Sequence, residues 1–150
     1  MIVQEAKNVK NIYIPSTVED ITINPFINLS GLQNIEVSPE NRKFVVKDGI
    51  LFSKDMTTVI CYPSSLTNTK YEVNESVNKI LKMSFRSNKN LKTLKFSGNI
   101  TEIPMSTMAQ CSNLENIYFP ESLKDIGNNI LAECRNVKRL VIYGDLNSTK

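Results

Sequence analysis

Asn90-Leu91-Lys92-Thr93-Leu94-Lys95-Phe96 returns as Asn113-Leu114-Glu115-Asn116-Ile117-Tyr118-Phe119, and again as Asn136-Val137-Lys138-Arg139-Leu140-Val141-Ile142. Each copy starts 23 residues after the last. Behind the first copy come Ile100, Ile103, Met108 and Cys111; behind the second come Leu123, Ile126, Leu131 and Cys134, in the same columns. Self-similarity at a fixed period of this size marks a solenoid of stacked units.

The columns extend toward the N-terminus. Leu94 and Phe96 project onto Ile12 and Ile14, then Ile35 and Val37. From Ile35 to Tyr71 the step is 36, one period of 23 plus an expansion of 13; Tyr71, Leu94, Ile117 and Leu140 then follow at 23. The alternation predicts a strand with Leu94 and Phe96 inward and Thr93 and Lys95 outward. Pro15, Gly98, Pro120 and Gly144 mark turns. The pair Leu123 and Ile126 crosses the layer in an extended or turn-like path, and Asn128 to Glu133 supplies about one helical turn with Ile130 or Leu131 buried. Successive strands pair in parallel at roughly 4.8 Å. A lone unit cannot offset its own ordering entropy, so neighbours must stabilise it. The fold expected is a β-rich repeat solenoid over 1–150, with short helical turns and a single expanded unit at about 38–66.

In the expanded unit, Phe44-Val45-Val46 and Ile50-Leu51-Phe52 flank Asp48-Gly49, a strong hairpin signal. Thr58 to Tyr62 adds a third β-rich run. Two or three short antiparallel strands are expected, standing as a ribbon on the solenoid wall. The repeat pattern starts and stops in mid-unit: Val3, Ala6 and Leu146 fall on columns, and no polar capping unit is evident. The expectation is a piece of a longer array, or ends that associate with another copy.

The residues N-L-x-x-I-x-[IF]-P-x-S-[VL]-x-x-I stand here as Asn113-Leu114 … Ile117-Tyr118-Phe119-Pro120-Glu121-Ser122-Leu123-Lys124-Asp125-Ile126, and as Ile12-Tyr13-Ile14-Pro15-Ser16-Thr17-Val18-Glu19-Asp20-Ile21. In this pattern the chain resembles the BspA-like leucine-rich repeat family, known from surface proteins of bacteria and of protozoan parasites. The expanded unit is similar to the family's interruption, read here as Lys47-Asp48-Gly49-Ile50-Leu51-Phe52-Ser53-Lys54-Asp55 and then Tyr62-Pro63. The resemblance covers almost the whole chain. It implies a right-handed, β-rich leucine-rich-repeat solenoid, a cell-surface or secreted module that binds host, matrix or cell-surface proteins. The family's Ala-Phe-x-x-Cys turn is degenerate here (Met108 to Cys111, Leu131 to Cys134), and no signal peptide or surface anchor is expected within these residues.

Composition narrows the chemistry. There is no histidine, which removes imidazole bases and His-containing metal sites. No phosphate-binding loop occurs, and no cofactor or enzymatic activity is expected. Net charge is +3. The basic residues are scattered along the chain, so a solvated surface is expected and no nucleic-acid partner. No apolar run spans a bilayer. Cys111 and Cys134 share a column in adjacent units, within disulfide range; the alternative is a pair of buried thiols. In the family this position is usually a core cysteine. Cys61 reads as packing. Four Asn-x-Ser/Thr acceptors occur, at Asn28, Asn74, Asn99 and Asn147. The acids Glu19, Asp20, Glu121 and Asp125 recur at matching repeat positions and read as solvated turns.

The candidate partner-binding residues are the outward strand positions, above all Tyr13, Glu36, Lys95, Tyr118, Arg139, Val141 and Tyr143. Tyr and Arg are favoured at interface hot spots; outward β positions also favour Tyr on propensity alone. A protein-binding surface adhesin is the leading expectation. An intracellular interaction scaffold and a self-associating structural repeat are the alternatives.

Overall fold

The computed structural model describes residues 6–143. Val3, Gly144, Leu146 and Asn147 lie outside that range. The strands are short because each coil gives a ladder only a few residues before turning. They are β1 (Asn11–Ile14), β2 (Asn34–Val37), β3 (Phe44–Lys47), β4 (Ile50–Ser53), β5 (Thr58–Cys61), β6 (Lys70–Glu72), β7 (Lys79–Ile80), β8 (Thr93–Lys95), β9 (Glu102–Ile103), β10 (Asn116–Tyr118), β11 (Asp125–Ile126) and β12 (Arg139–Val141).

The front of the solenoid is parallel, in the register the columns predict. Tyr71 sits opposite Leu94, Leu94 opposite Ile117, and Ile117 opposite Leu140. Ile12 sits opposite Ile35. Leu94 and Ile117 are fully buried, while Thr93 is half-buried and Lys95 exposed. The front is nevertheless two ladders, β1-β2 and β6-β8-β10-β12.

A second parallel pairing runs along the side where an extended crossing was expected. Ile103 of β9 is opposite Ile126 of β11, and Val59 of β5 is opposite Ile80 of β7. Gly127 follows β11 where the chain presses on the preceding coil. A Cβ there would lie 2.5 Å from the Met105 nitrogen and 2.8 Å from the Pro104 carbonyl carbon.

The third side corrects the expected helical turn. The described residues contain no helix. Met83, Ser106 and Asn129 have φ of 62°, 56° and 56°, and Ser87, Gln110 and Glu133 have 64°, 62° and 60°. Two left-handed columns of non-glycine residues thus repeat at the same period, although such conformations are uncommon. The N–H groups explain why no helix forms. Those of Ser106, Met108 and Gln110 donate to Asn128, Ile130 and Ala132 of the next coil at 3.0, 3.1 and 2.7 Å. A helix would use them internally. Ile130 and Leu131 are both half-buried against the core.

The insert also differs from expectation. Asp48 and Gly49 both have positive φ, 52° and 81°, as a two-residue type I′ hairpin requires, and β3, β4 and β5 are antiparallel. They do not stand on the wall as a ribbon. Ile50, Phe52, Val59 and Tyr62 pack into the core of the C-terminal coils, while Phe44, Leu51, Ile60 and Cys61 pack into that of the N-terminal coils. The strands β4 and β5 form a partition with apolar side chains on both faces. That is why Ile-Leu-Phe and Val-Ile-Cys-Tyr read as continuous apolar runs and not as alternations.

Buried side-chain amides close the coils. Asn88 is fully buried; its Nδ2 donates to the carbonyls of Pro63 (2.8 Å) and Leu66 (3.3 Å), and its Oδ1 accepts from the N–H of Asn90 (3.0 Å) and Leu91 (2.8 Å). Asn41 does the same around Pro15, Val18, Lys43 and Phe44. Asn90, Asn113 and Asn136 form a more exposed column, each donating to the coil before it. Cysteine takes over the Asn88 column in later coils. The thiol of Cys111 donates to the Phe85 carbonyl and that of Cys134 to the Met108 carbonyl, each at 3.0 Å. Both are free thiols.

Asn88→Ala should destabilise the chain by about 3 kcal/mol in urea unfolding, against about 1 kcal/mol for the exposed Asn113→Ala, because only the first leaves buried backbone groups unpartnered. Equal losses would contradict the closing role of Asn88. Gly127→Ala should cost about 1–3 kcal/mol through overpacking. Gly98→Ala, where a Cβ meets nothing within 4 Å, should change stability little.

Candidate binding face

The register of the four-stranded front ladder aligns its outward side chains in rows. One row reads Glu72, Lys95, Tyr118, Val141, and the next reads Lys70, Thr93, Asn116, Arg139. The Lys95 ammonium is 2.8 Å from the Glu72 carboxylate. The hydrogen bond and charge of Lys95 hold the Glu72 carboxyl below its ordinary range. The same contact raises Lys95, with smaller contributions from Tyr143 and Glu75. Both partners are solvent-exposed, so the pair orients side chains more than it stabilises the fold. The Arg139 guanidinium lies over the Tyr118 ring, 6.0 Å from its centroid, within cation–π reach.

The seven candidate residues therefore divide. Lys95, Tyr118, Arg139 and Val141 share one ladder. Tyr143 follows β12 by two residues and is 59% exposed. Tyr13, 60% exposed, and Glu36 face each other on β1 and β2, in the separate ladder. Glu36 accepts a hydrogen bond from Asn34 at 3.3 Å. The break between β2 and β6 keeps these two from the other five.

Sequence reasoning left out the residue preceding each strand. Thr69, Lys92, Glu115 and Lys138 fall in one column at the repeat spacing, and Lys138 pairs with Glu115 at 3.5 Å. That column was visible as charges at a constant interval; its position at the edge of the face was not.

Reactive chemistry is poorly served. Burial pushes the Cys61 thiol up to about 12 and raises Cys111 and Cys134 as well, so none is a thiolate near neutral pH. Among the described residues no group of three or more His, Cys, Asp or Glu side chains could hold a metal ion, and no helix is long and apolar enough to cross a membrane. Glu19, Asp20 and Glu121 are exposed. Of the glycosylation acceptors, Asn74 and Asn99 are exposed and Asn28 is half-buried. Surface depressions are open grooves, such as the one lined by Glu19, Asn41, Arg42 and Lys54 beside the insert.

A solenoid of short parallel ladders at a 23-residue period, with its outward side chains aligned in rows, defines a leucine-rich repeat module. The chain belongs to the BspA type leucine rich repeat region family, which matches residues 3–71 and 56–150 in six copies. No curated protein matches it. Among solved structures, a leucine-rich repeat protein from Eubacterium ventriosum is 26% identical with a TM-score of 0.81, covering 91% of this chain and 37% of its own. A leucine rich cell surface protein from Faecalibacterium prausnitzii is 24% identical with a TM-score of 0.68, over 88% of this chain and 41% of its own. The pneumococcal vaccine antigen PcpA is 18% identical with a TM-score of 0.63, over 92% of this chain and 46% of its own. The chain thus spans less than half the length of each; the latter two likenesses concern the fold alone.

In the native protein, Cys134 should react with a thiol reagent well before Cys61 and Cys111, which should label only on unfolding. Because burial raises the folded-state values, the thiol contribution to stability is complete below pH about 9 and should decline as pH rises toward 12. Labelling of Cys61 as fast as Cys134 would contradict this.

Proposed function

We propose that the chain is a non-catalytic protein-binding module of a cell-surface protein, engaging its ligand through the outward positions of β6, β8, β10 and β12. The observation that carries this reading is the cluster in which Arg139 lies over Tyr118, between Lys95 and Val141 and with Tyr143 close by. Aromatic and Arg side chains bury large area at low entropic cost and dominate binding energy at interfaces. They stand on a ladder whose register is held by backbone hydrogen bonds, so little ordering is needed on binding. Extended repeat surfaces bind by area and a few anchors, without a pocket. Membership of the BspA type leucine rich repeat family supports a place at the cell surface.

The test is binding of the purified chain to an array of matrix and host-surface proteins, with Tyr118→Ala and Tyr143→Ala alongside. Each substitution should weaken a specific interaction by more than about 1 kcal/mol while circular dichroism stays unchanged. Affinity unaffected by either would move the site off this face. Surface labelling of intact cells should reach the full-length protein without permeabilisation.

A further inference from the structure

The basic residues look scattered along the chain, but the fold gathers part of them. Take the four front strands together with the residue preceding each. They carry Lys70, Lys92, Lys95, Lys138 and Arg139 against Glu72 and Glu115. Of the chain's 18 basic and 15 acidic residues, five and two lie here, so the remaining thirteen and thirteen cancel. The net charge of +3 is thus concentrated on this ladder. Glu72 is engaged by Lys95 and Glu115 by Lys138. Lys70, Lys92 and Arg139 form no salt bridge with another described residue, although the charge of Lys70 also acts on Glu72, and Glu75 reaches only the margin, near Lys95.

Resting on the reading above, we infer that the ligand presents an extended acidic polypeptide segment to this face. Lys70 and Arg139 end one row across four strands, so their backbones are about 14 Å apart at roughly 4.8 Å per strand. An extended chain rises about 3.4 Å per residue with side chains alternating. Carboxylates four residues apart therefore project from the same side at about that distance. Thr93 and Asn116 lie between as hydrogen-bonding groups, and Tyr118 with Val141 offers apolar contact in the neighbouring row. The embedded Glu72 and Glu115 disfavour a uniform polyanion such as a sulfated glycan or nucleic acid, whose charge recurs at every unit. A peptide can place its charges selectively. The Arg139 guanidinium is suited to bidentate carboxylate recognition.

The experiment uses a surface-coupled synthetic peptide with glutamates four residues apart on a threonine–tyrosine background, its glutamine counterpart, heparin and single-stranded DNA. The glutamate peptide should bind at least about tenfold more tightly than the glutamine peptide, with affinity falling as salt rises. Lys70→Glu with Arg139→Glu should abolish that preference. Lys82→Glu with Lys124→Glu, exposed residues off this face, should leave it intact, with circular dichroism unchanged in both variants. Equal binding of the two peptides, binding of neither, or preference for heparin or DNA overturns the inference. The face itself is judged separately: a protein ligand lost with Tyr118→Ala but indifferent to salt and charge reversal would retain the binding site and remove the acidic segment.

Discussion

The structure depends on hydrogen bonds between one coil and the next. Within a coil the backbone groups pair through short turns, such as the Cys111 N–H with the Met108 carbonyl; the rest look to neighbouring coils, and a buried unpaired N–H or C=O is costly. On the front, the N–H groups of Glu115 and Asn116 reach the Lys92 carbonyl, and those of Lys138 and Arg139 reach the Glu115 carbonyl. The front N–H groups of Phe96 and Phe119 also reach forward, to the Tyr118 and Val141 carbonyls, and on the turn side earlier coils donate to later ones. Each coil is therefore clamped in both senses, which over-determines its path. That clamping is what holds Met83, Ser87, Ser106, Gln110, Asn129 and Glu133 in left-handed conformations without glycine.

Side chains complete this ladder where the backbone cannot. Asn41 and Asn88 each satisfy two carbonyls and two N–H groups in the interior. Where the column changes to Cys111 and Cys134, a thiol serves one carbonyl of the preceding coil and otherwise packs as a small hydrophobe. Aromatic rings join the same coils along the core: Phe96 and Phe119 stack 5.9 Å apart, and Tyr62 stacks on Phe85 at 5.2 Å. The insert interrupts the front ladder but not the packing, because its strands give apolar side chains to the cores on both sides.

The binding face follows from this register. A parallel ladder brings residues 23 apart in sequence into adjacent strands, so a sparse pattern becomes a contiguous patch. Lys95, Tyr118 and Val141 could be placed in one row from their columns, and the row is found. Tyr13 and Glu36 obey the same columns yet belong elsewhere, because the insert separates β2 from β6. The charged column of Lys92, Glu115 and Lys138 lies just before the strands, where alternation no longer predicts direction.

The sequence alone determined the period, the inward columns, the Asp48-Gly49 hairpin and the family, because each is a local pattern of side-chain size and turn preference repeated at constant spacing. Leu94 and Ile117 are buried for the reason the columns imply, each opposite its equivalents in the neighbouring coils. Tertiary structure decided three other features. It set the left-handed turns in place of a helix, since the choice of hydrogen-bond partner lies in the next coil. It made β4 and β5 a partition, since burial on both faces depends on two cores distant in sequence. And it brought Lys70 and Arg139 to the two ends of one row, since neighbourhood across a ladder is a property of stacked strands and not of chain order.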